Sequence, residues 1–165
     1  MLLLGVWSLR RVLLVGESSG MLSAMHAQLT AVGARPHVAL PDEEFLFRVL
    51  HEGRYSCVIV PSVLHLCAGD ADARFAALDT LLLETREAGV PLAMLLSRHC
   101  AQPNDEAACL FSHALGWARG AFGDPVNVQC IQYRHADLRH ASRDALARGA
   151  RFLAGERTCA GLFSI

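Results

Sequence analysis

The chain contains no lysine: arginine supplies all 15 of its basic residues. With heavy use of alanine and leucine, this reads as the codon bias of a GC-rich genome more than as function. Charge of either sign is scarce. Charged residues make up 19% of the chain, and 15 basic residues set against 16 acidic ones leave a formal net charge of −1. That balance offers no electrostatic footprint for nucleic acid or an anionic membrane, so neither is expected as a partner. None of the six cysteines (Cys57, Cys67, Cys100, Cys109, Cys130, Cys159) forms a Cys-x-x-Cys pair. Reduced thiols in a cytoplasmic protein are the expectation. No internal repeat, low-complexity tract or linker interrupts the sequence. The apolar N-terminus, Met1 to Leu9, is too short to span a bilayer. Its arginines, Arg10 and Arg11, follow the apolar run instead of preceding it, which fits a signal peptide poorly. Residues 1–10 are therefore expected to cover part of the sheet or of a partner.

What is present is apolar and regularly patterned. A chain of 165 residues that is 53% hydrophobic suits one domain whose sheet is covered on both faces. Val12 to Val15 reads as a buried strand. Met21 to Val32 follows as a helix with Leu22, Met25, Leu29 and Val32 at helical spacing, closed by Gly33. Strands are expected at Pro36–Leu40, Cys57–Val60, Pro91–Leu96, Val126–Tyr133 and Gly161–Ile165. Helices are expected from Pro41–Asp42 through His51, and over Ala73–Ala88, Asn104–Gly120 and Ala141–Leu153. Ser62 to Asp72 is the least regular stretch and reads as a loop. Strict strand–helix alternation predicts an α/β fold: a single Rossmann-like, doubly wound parallel sheet with helices on both faces, over residues 11–165.

The first strand runs into the first helix through Gly16-Glu17-Ser18-Ser19-Gly20. A small-residue turn at a helix N-terminus is where α/β proteins hold phosphates, because backbone N–H groups and the helix dipole converge there. A response-regulator receiver shares this opening, but its Mg²⁺ and phosphoryl group demand an acidic pair after strand one and an aspartate ending strand three. Here Gly16 and Glu17 stand at the first place, and Pro61 and Ser62 at the second. A receiver-like domain without phosphorylation chemistry stays open, and it would show the strand order of a five-stranded receiver with the last segment appended.

The run Val15 to Ser23 resembles the opening turn of the extended short-chain dehydrogenase/reductases, especially the NAD-dependent epimerases and sugar-nucleotide reductases, with Gly20 on the family's central glycine. Ser56 to Val60 resembles that family's strand beside the cofactor. Glu84 to Leu92 is similar to its helix into the next strand, and Ala160 to Ile165 looks like its late Gly-aromatic strand. The resemblance implies NAD(P) as cofactor, held by Gly16, Ser18, Ser19 and Gly20. It also implies Ser97 in the family's catalytic Ser/Thr position. Asp42, after the second strand, occupies the place that reads a ribose 2′-hydroxyl, although a Pro-Asp-Glu-Glu helix start accounts for it structurally.

The departures matter as much. Cys109 and His113 lie where the family has the Tyr and Lys of its Tyr-x-x-x-Lys pair. Neither tyrosine, Tyr55 or Tyr133, is followed four residues on by lysine. Glu17 and Ser23 replace turn glycines. The interval from Ser97 to the Cys109 segment is short, and the family's C-terminal substrate-binding portion is not recognisable. Cys109 and His113, four apart on one helix face, could still pair as nucleophile and base beside Ser97. With His65, Cys67, His99 and Cys100 they have zinc-like chemistry; the bland alternative is a core cysteine and a half-exposed histidine, and no metal is expected. Tyr133 to Arg143, with His135 and His140, reads as a solvated loop and helix start whose basic cluster could take an anionic partner, diluted by Asp137 and Asp144. The expectation drawn from all this is a truncated, degenerate short-chain-reductase-like domain, without catalysis, acting as a homo-oligomer or with a partner protein. An NAD(P)-dependent reductase or epimerase is the enzymatic alternative.

Overall fold

Arg11–Val15 forms β1 because four consecutive apolar side chains must be buried on both sides of a sheet, and Val12 to Val15 are indeed buried. In the computed structural model, which describes residues 5–97, 105–134, 137–153 and 161–164, β1 lies inside a parallel sheet of six strands. The chain continues through α1 (Gly20–Ala31), β2 (Arg35–Ala39), α2 (Glu43–Gly53), β3 (Cys57–Val60) and a single 3₁₀ turn at Val63–His65. It then forms α3 (Ala71–Ala88), β4 (Leu92–Ser97), α4 (Asp105–Ala118), β5 (Val128–Tyr133), α5 (Leu138–Leu153) and β6 (Gly161–Ser164).

The strand order is β2-β1-β3-β4-β5-β6, with every pair parallel. The expected doubly wound α/β class is what the chain adopts. Dinucleotide-binding sheets of the 3-2-1-4-5-6 order carry a further strand outside the second one. Here β2 is itself an edge, and the first five strands follow the 2-1-3-4-5 order of five-stranded receivers, the receiver-like alternative. Arg35 donates to Arg10, and Ala39 accepts from Gly16, so the alternate position, Pro36, faces outward. A proline at that place removes an outward N–H and blunts the edge against strand addition.

Side chains alternate across the sheet. Leu13, Val15, Val58, Val60, Leu92, Met94, Val128 and Cys130 face α2, α3 and α4, while Val12, Leu14, Ile59, Ala93, Leu95 and Ile131 face α1 and α5. The chain moves toward β6 through α2, α3 and α4 on one face, then takes its last step through α5 on the other. That crossover has the opposite hand to the rest, where about 98% of such connections are right-handed.

The N-terminal segment covers its own sheet. Trp7 is fully buried among Val12, Leu14, Met25 and Leu29, and its Nε1 donates to the Leu146 carbonyl at 2.9 Å. A Cβ on Gly149 would come within 2.9 Å of the indole ring, so glycine in the body of α5 serves this close approach. Residues 1–4 of the segment lie outside the described residues.

Most element ends shift by one or two residues from the expectations, and three differences have a structural cause. α3 begins at Ala71, because Asp70 caps it by accepting from Ala73 N at 2.9 Å, and Gly89 closes it in the left-handed region (φ 67°). Asp70→Ala should cost about 1 kcal/mol of stability, measured by denaturant unfolding. α5 begins three residues early, at Leu138, because the Asp137 carboxylate accepts from Arg139 N and its carbonyl from Ala141 N. The Ser62–Asp72 stretch is not a plain loop. It contains the 3₁₀ turn, and that turn shapes the site.

Candidate functional site

In a doubly wound sheet ligands bind beyond the carboxyl ends of the strands, where the chain reverses its direction of winding. That point lies between β1 and β3, flanked by the Gly16–Gly20 turn on one side and residues 61–67 on the other. Gly16 has φ +143°, a conformation side chains avoid, and its N–H donates to the Ala39 carbonyl of β2 at 3.0 Å. Ser19 caps α1, its Oγ accepting from Leu22 N at 3.2 Å. Ser18 and Gly20 are exposed.

The crevice is filled from within. Glu17 N, the amide a phosphate would seek, donates instead to the His65 carbonyl at 2.7 Å. The same oxygen stands 3.0 Å from where a Cβ on Gly16 would be, so the chain's own carbonyl makes the close backbone approach that this glycine allows. Ser62 Oγ and His65 Nδ1, 2.7 Å apart, hold the 3₁₀ turn together. Val63 and Leu66, both fully buried, pack into the same core as Val15 and Val60. At the start of α1, Leu138 Cδ1 lies 2.7 Å from a Cβ built on Gly20, so α5 crowds that helix end.

At the mouth sit Glu17, Cys67, Asp70 and Arg74. Burial pushes the Cys67 thiol up, Arg74 pulls it down, and Glu17 and Asp70 push it up again. Arg74 is committed elsewhere. Its guanidinium grips the Glu106 carboxylate of α4 through Nε and Nη2, and Nη1 donates to Gly69 O at 2.8 Å. The hydrogen bond to Glu106 raises the Arg74 pKa further.

The remaining expected residues are dispersed. Ser97 ends β4 opposite Tyr133 and is half-buried. Cys109 is exposed on α4. His113 turns toward α3: its Nε2 lies 2.5 Å from Asp79 Oδ1, and its ring stands against Phe75 and Phe122. Trp117 Nε1 also points at that nitrogen, 3.3 Å away. The shorter Asp79 contact takes an Nε2 that carries its proton, which leaves the indole in a packing contact rather than a hydrogen bond. Asp42 is exposed just before α2, and its carbonyl accepts from Leu46 N at 2.7 Å, the first bond of that helix. His99 and Cys100 lie outside the described residues. Among the described residues no three His, Cys, Asp or Glu side chains gather as a metal site. The plug at Val63–Leu66 and the Leu138 contact escaped sequence reasoning, since neither lies in a recognisable motif.

Two thiols are inert by position. Burial pushes both Cys57 and Cys130 from 9.0 to about 12. Both retain their protons in the fold at a pH where the unfolded chain loses them. Their contribution to stability is therefore whole below pH 9 and is lost as pH rises toward 12. In the native protein a disulfide thiol reagent should label Cys109 within minutes, and Cys57 and Cys130 only on unfolding, as mass spectrometry of the labelled peptides would show.

No family model matches the chain, and no curated protein matches its sequence. Solved structures do. BdcA (YjgI) from E. coli superimposes with a TM-score of 0.58 at 16% identity, over 97% of this chain and 100% of that one. The UDP-N-acetylglucosamine 4-epimerase from Bacillus cereus gives 0.61 at 12% identity, over 94% and 77%. A doubly substituted short-chain dehydrogenase/reductase from Serratia marcescens gives 0.63 at 16%, over 97% of each chain. The chain shares with these structures a Rossmann-like parallel α/β fold, here with β2 at the sheet's edge.

Proposed function

We propose that this chain is a non-catalytic domain of short-chain-reductase fold that acts through protein contacts, as a homo-oligomer or as the accessory subunit of an active enzyme. The observation that carries this reading is the self-occupied crevice: Glu17 N–H bonded to His65 O, with Val63 and Leu66 buried behind it. NAD(P), which the fold brings to mind, does not fit the residues present. A dinucleotide would meet the His65 carbonyl where it needs a donor, the Glu17 carboxylate beside its pyrophosphate, and the Leu138 side chain over the helix end. The family's proton-donating pair is also missing. Tyr55 O–H is bonded to His37 Nδ1 at 2.9 Å, Tyr133 is buried, and no lysine exists to assist either. In a fluorescence titration, NADH and NADPH should show no saturable enhancement at millimolar concentration. Tight binding that is lost in Ser18→Glu, a substitution at an exposed turn position, would overturn the proposal.

The strand order favours one second reading, a receiver-like signalling domain without phosphorylation chemistry. Of the positions where a receiver gathers its carboxylates, Gly16, Pro61 and Ser62 carry none and Glu17 alone is acidic, so such a domain would also work by protein contact. Acetyl phosphate with Mg²⁺ should then leave the mass of the protein unchanged.

A further inference from the structure

α1 and α5 lie side by side on one face of the sheet, and between their outer surfaces an open groove of about 490 Å³ remains. Ala24, Ala27, Gln28 and Ala31 of α1 line it along one side, and Arg139 and Arg143 of α5 along the other. A smaller hollow of about 240 Å³ adjoins it, sharing both arginines and adding Asp137 and His140. The groove runs along the helix layer and does not involve the strand-end crevice.

Its two sides differ in chemistry. Residues 24, 27 and 31 fall on one face of α1, so methyl groups form a floor that runs seven residues, about 10 Å at 1.5 Å per residue. Arg139 and Arg143 stand one turn apart on α5 and share a face. Both are exposed, and neither guanidinium has an ion-pair partner among the described residues. Among the described residues the one carboxylate lining the adjoining hollow is Asp137, whose Oδ1 accepts from Arg139 N at 3.0 Å. The sequence marked this segment as a basic cluster diluted by acids. The lining of the groove includes both arginines and neither Asp137 nor Asp144, and Asp137 lines only the smaller hollow.

We propose that this groove binds a small anionic amphiphile: a carboxylate or phosphate held by Arg139 and Arg143, with an apolar body about 10 Å long laid on the alanine floor. Paired guanidinium groups match the planar, bidentate geometry of such anions. The volume lies within the range of about 300–1,000 Å³ usual for small-molecule sites. A two-turn floor with charge at one end suits a short tail or a fused ring better than a partner helix, which needs a longer apolar track.

The test is calorimetric titration of the full chain with decanoate and decyl phosphate below their micelle concentrations, decanol below its solubility limit, and inorganic phosphate. One or both anionic amphiphiles should bind saturably at one site, and which of them binds tells carboxylate from phosphate. Decanol and inorganic phosphate, each half of the ligand, should bind on the order of tenfold weaker or not at all. Arg139→Glu/Arg143→Glu alters two exposed side chains and should leave Tm in place while lowering affinity by roughly tenfold or more. Ala27→Glu should do the same from the other wall. Absence of saturable binding by both amphiphiles, or equal binding by the double variant, overturns the proposal. Preferential binding of an acidic helical peptide overturns it too, in favour of a protein partner.

Discussion

Trp7→Ala is expected to remove about 3–5 kcal/mol of folding stability, the range for deleting a fully buried tryptophan side chain. For a domain of this size that lowers Tm by about 6–20 °C. The indole is the largest side chain of its half of the core and ties the N-terminal segment to α5 through Leu146. Gly149 supplies an internal control. In the parent protein Gly149→Ala drives a methyl to within 2.9 Å of the indole and should destabilise. In the Trp7→Ala background the collision is gone, and the same change should instead stabilise by roughly 1 kcal/mol through helix propensity. Denaturant unfolding of the four proteins measures both effects. A Gly149→Ala substitution of unchanged sign in the two backgrounds would show that Trp7 does not occupy this place.

Leu66→Ala should cost about 2–5 kcal/mol, because Leu66 is fully buried and fills the ground between β1 and β3 that a ligand would otherwise approach. The loss should come with a local signature. With the plug loosened, the Glu17 amide should exchange its hydrogen faster than the β4 amides, since its bond to His65 O depends on the turn that Leu66 anchors. A variant with parental stability and unchanged Glu17 exchange would mean that the 3₁₀ turn is not packed into the crevice. The substitution should not create a dinucleotide site, because Glu17 and Leu138 remain.

Much of the fold was legible in local chemistry. The uninterrupted apolar runs Val12–Val15 and Cys57–Val60 can only be central parallel strands, and Gly33 and Gly89 fall where helices must stop. Strand order was less accessible. An open β2 edge depends on what packs beside it, and a reductase-like and a receiver-like chain share the same first elements. The α5 start was missed because Leu138-Arg139-His140 looks like solvated chain until Asp137 is seen capping it. The site was the least legible part. Gly16 and Gly20 read as space left for phosphate, and both spaces are in fact used by the protein itself, one by a carbonyl 49 residues away in sequence and one by a leucine 118 residues away. A glycine announces close approach, never by whom. Cys109 and His113 share a helix as their spacing required, yet Asp79 on α3 draws the imidazole aside, and no spacing rule contains that third residue.

The account stands on the self-occupied crevice, and amide NMR of ¹⁵N-labelled protein in the presence of NADH and NADPH tests it most directly. The resonances of Glu17, Ser18, Ser19 and Gly20 should not move at millimolar cofactor, and the Glu17 amide should stay protected from exchange through its bond to His65. Saturable shifts confined to these four amides, with Glu17 released from His65, would contradict it and return the chain to the dinucleotide-binding enzymes.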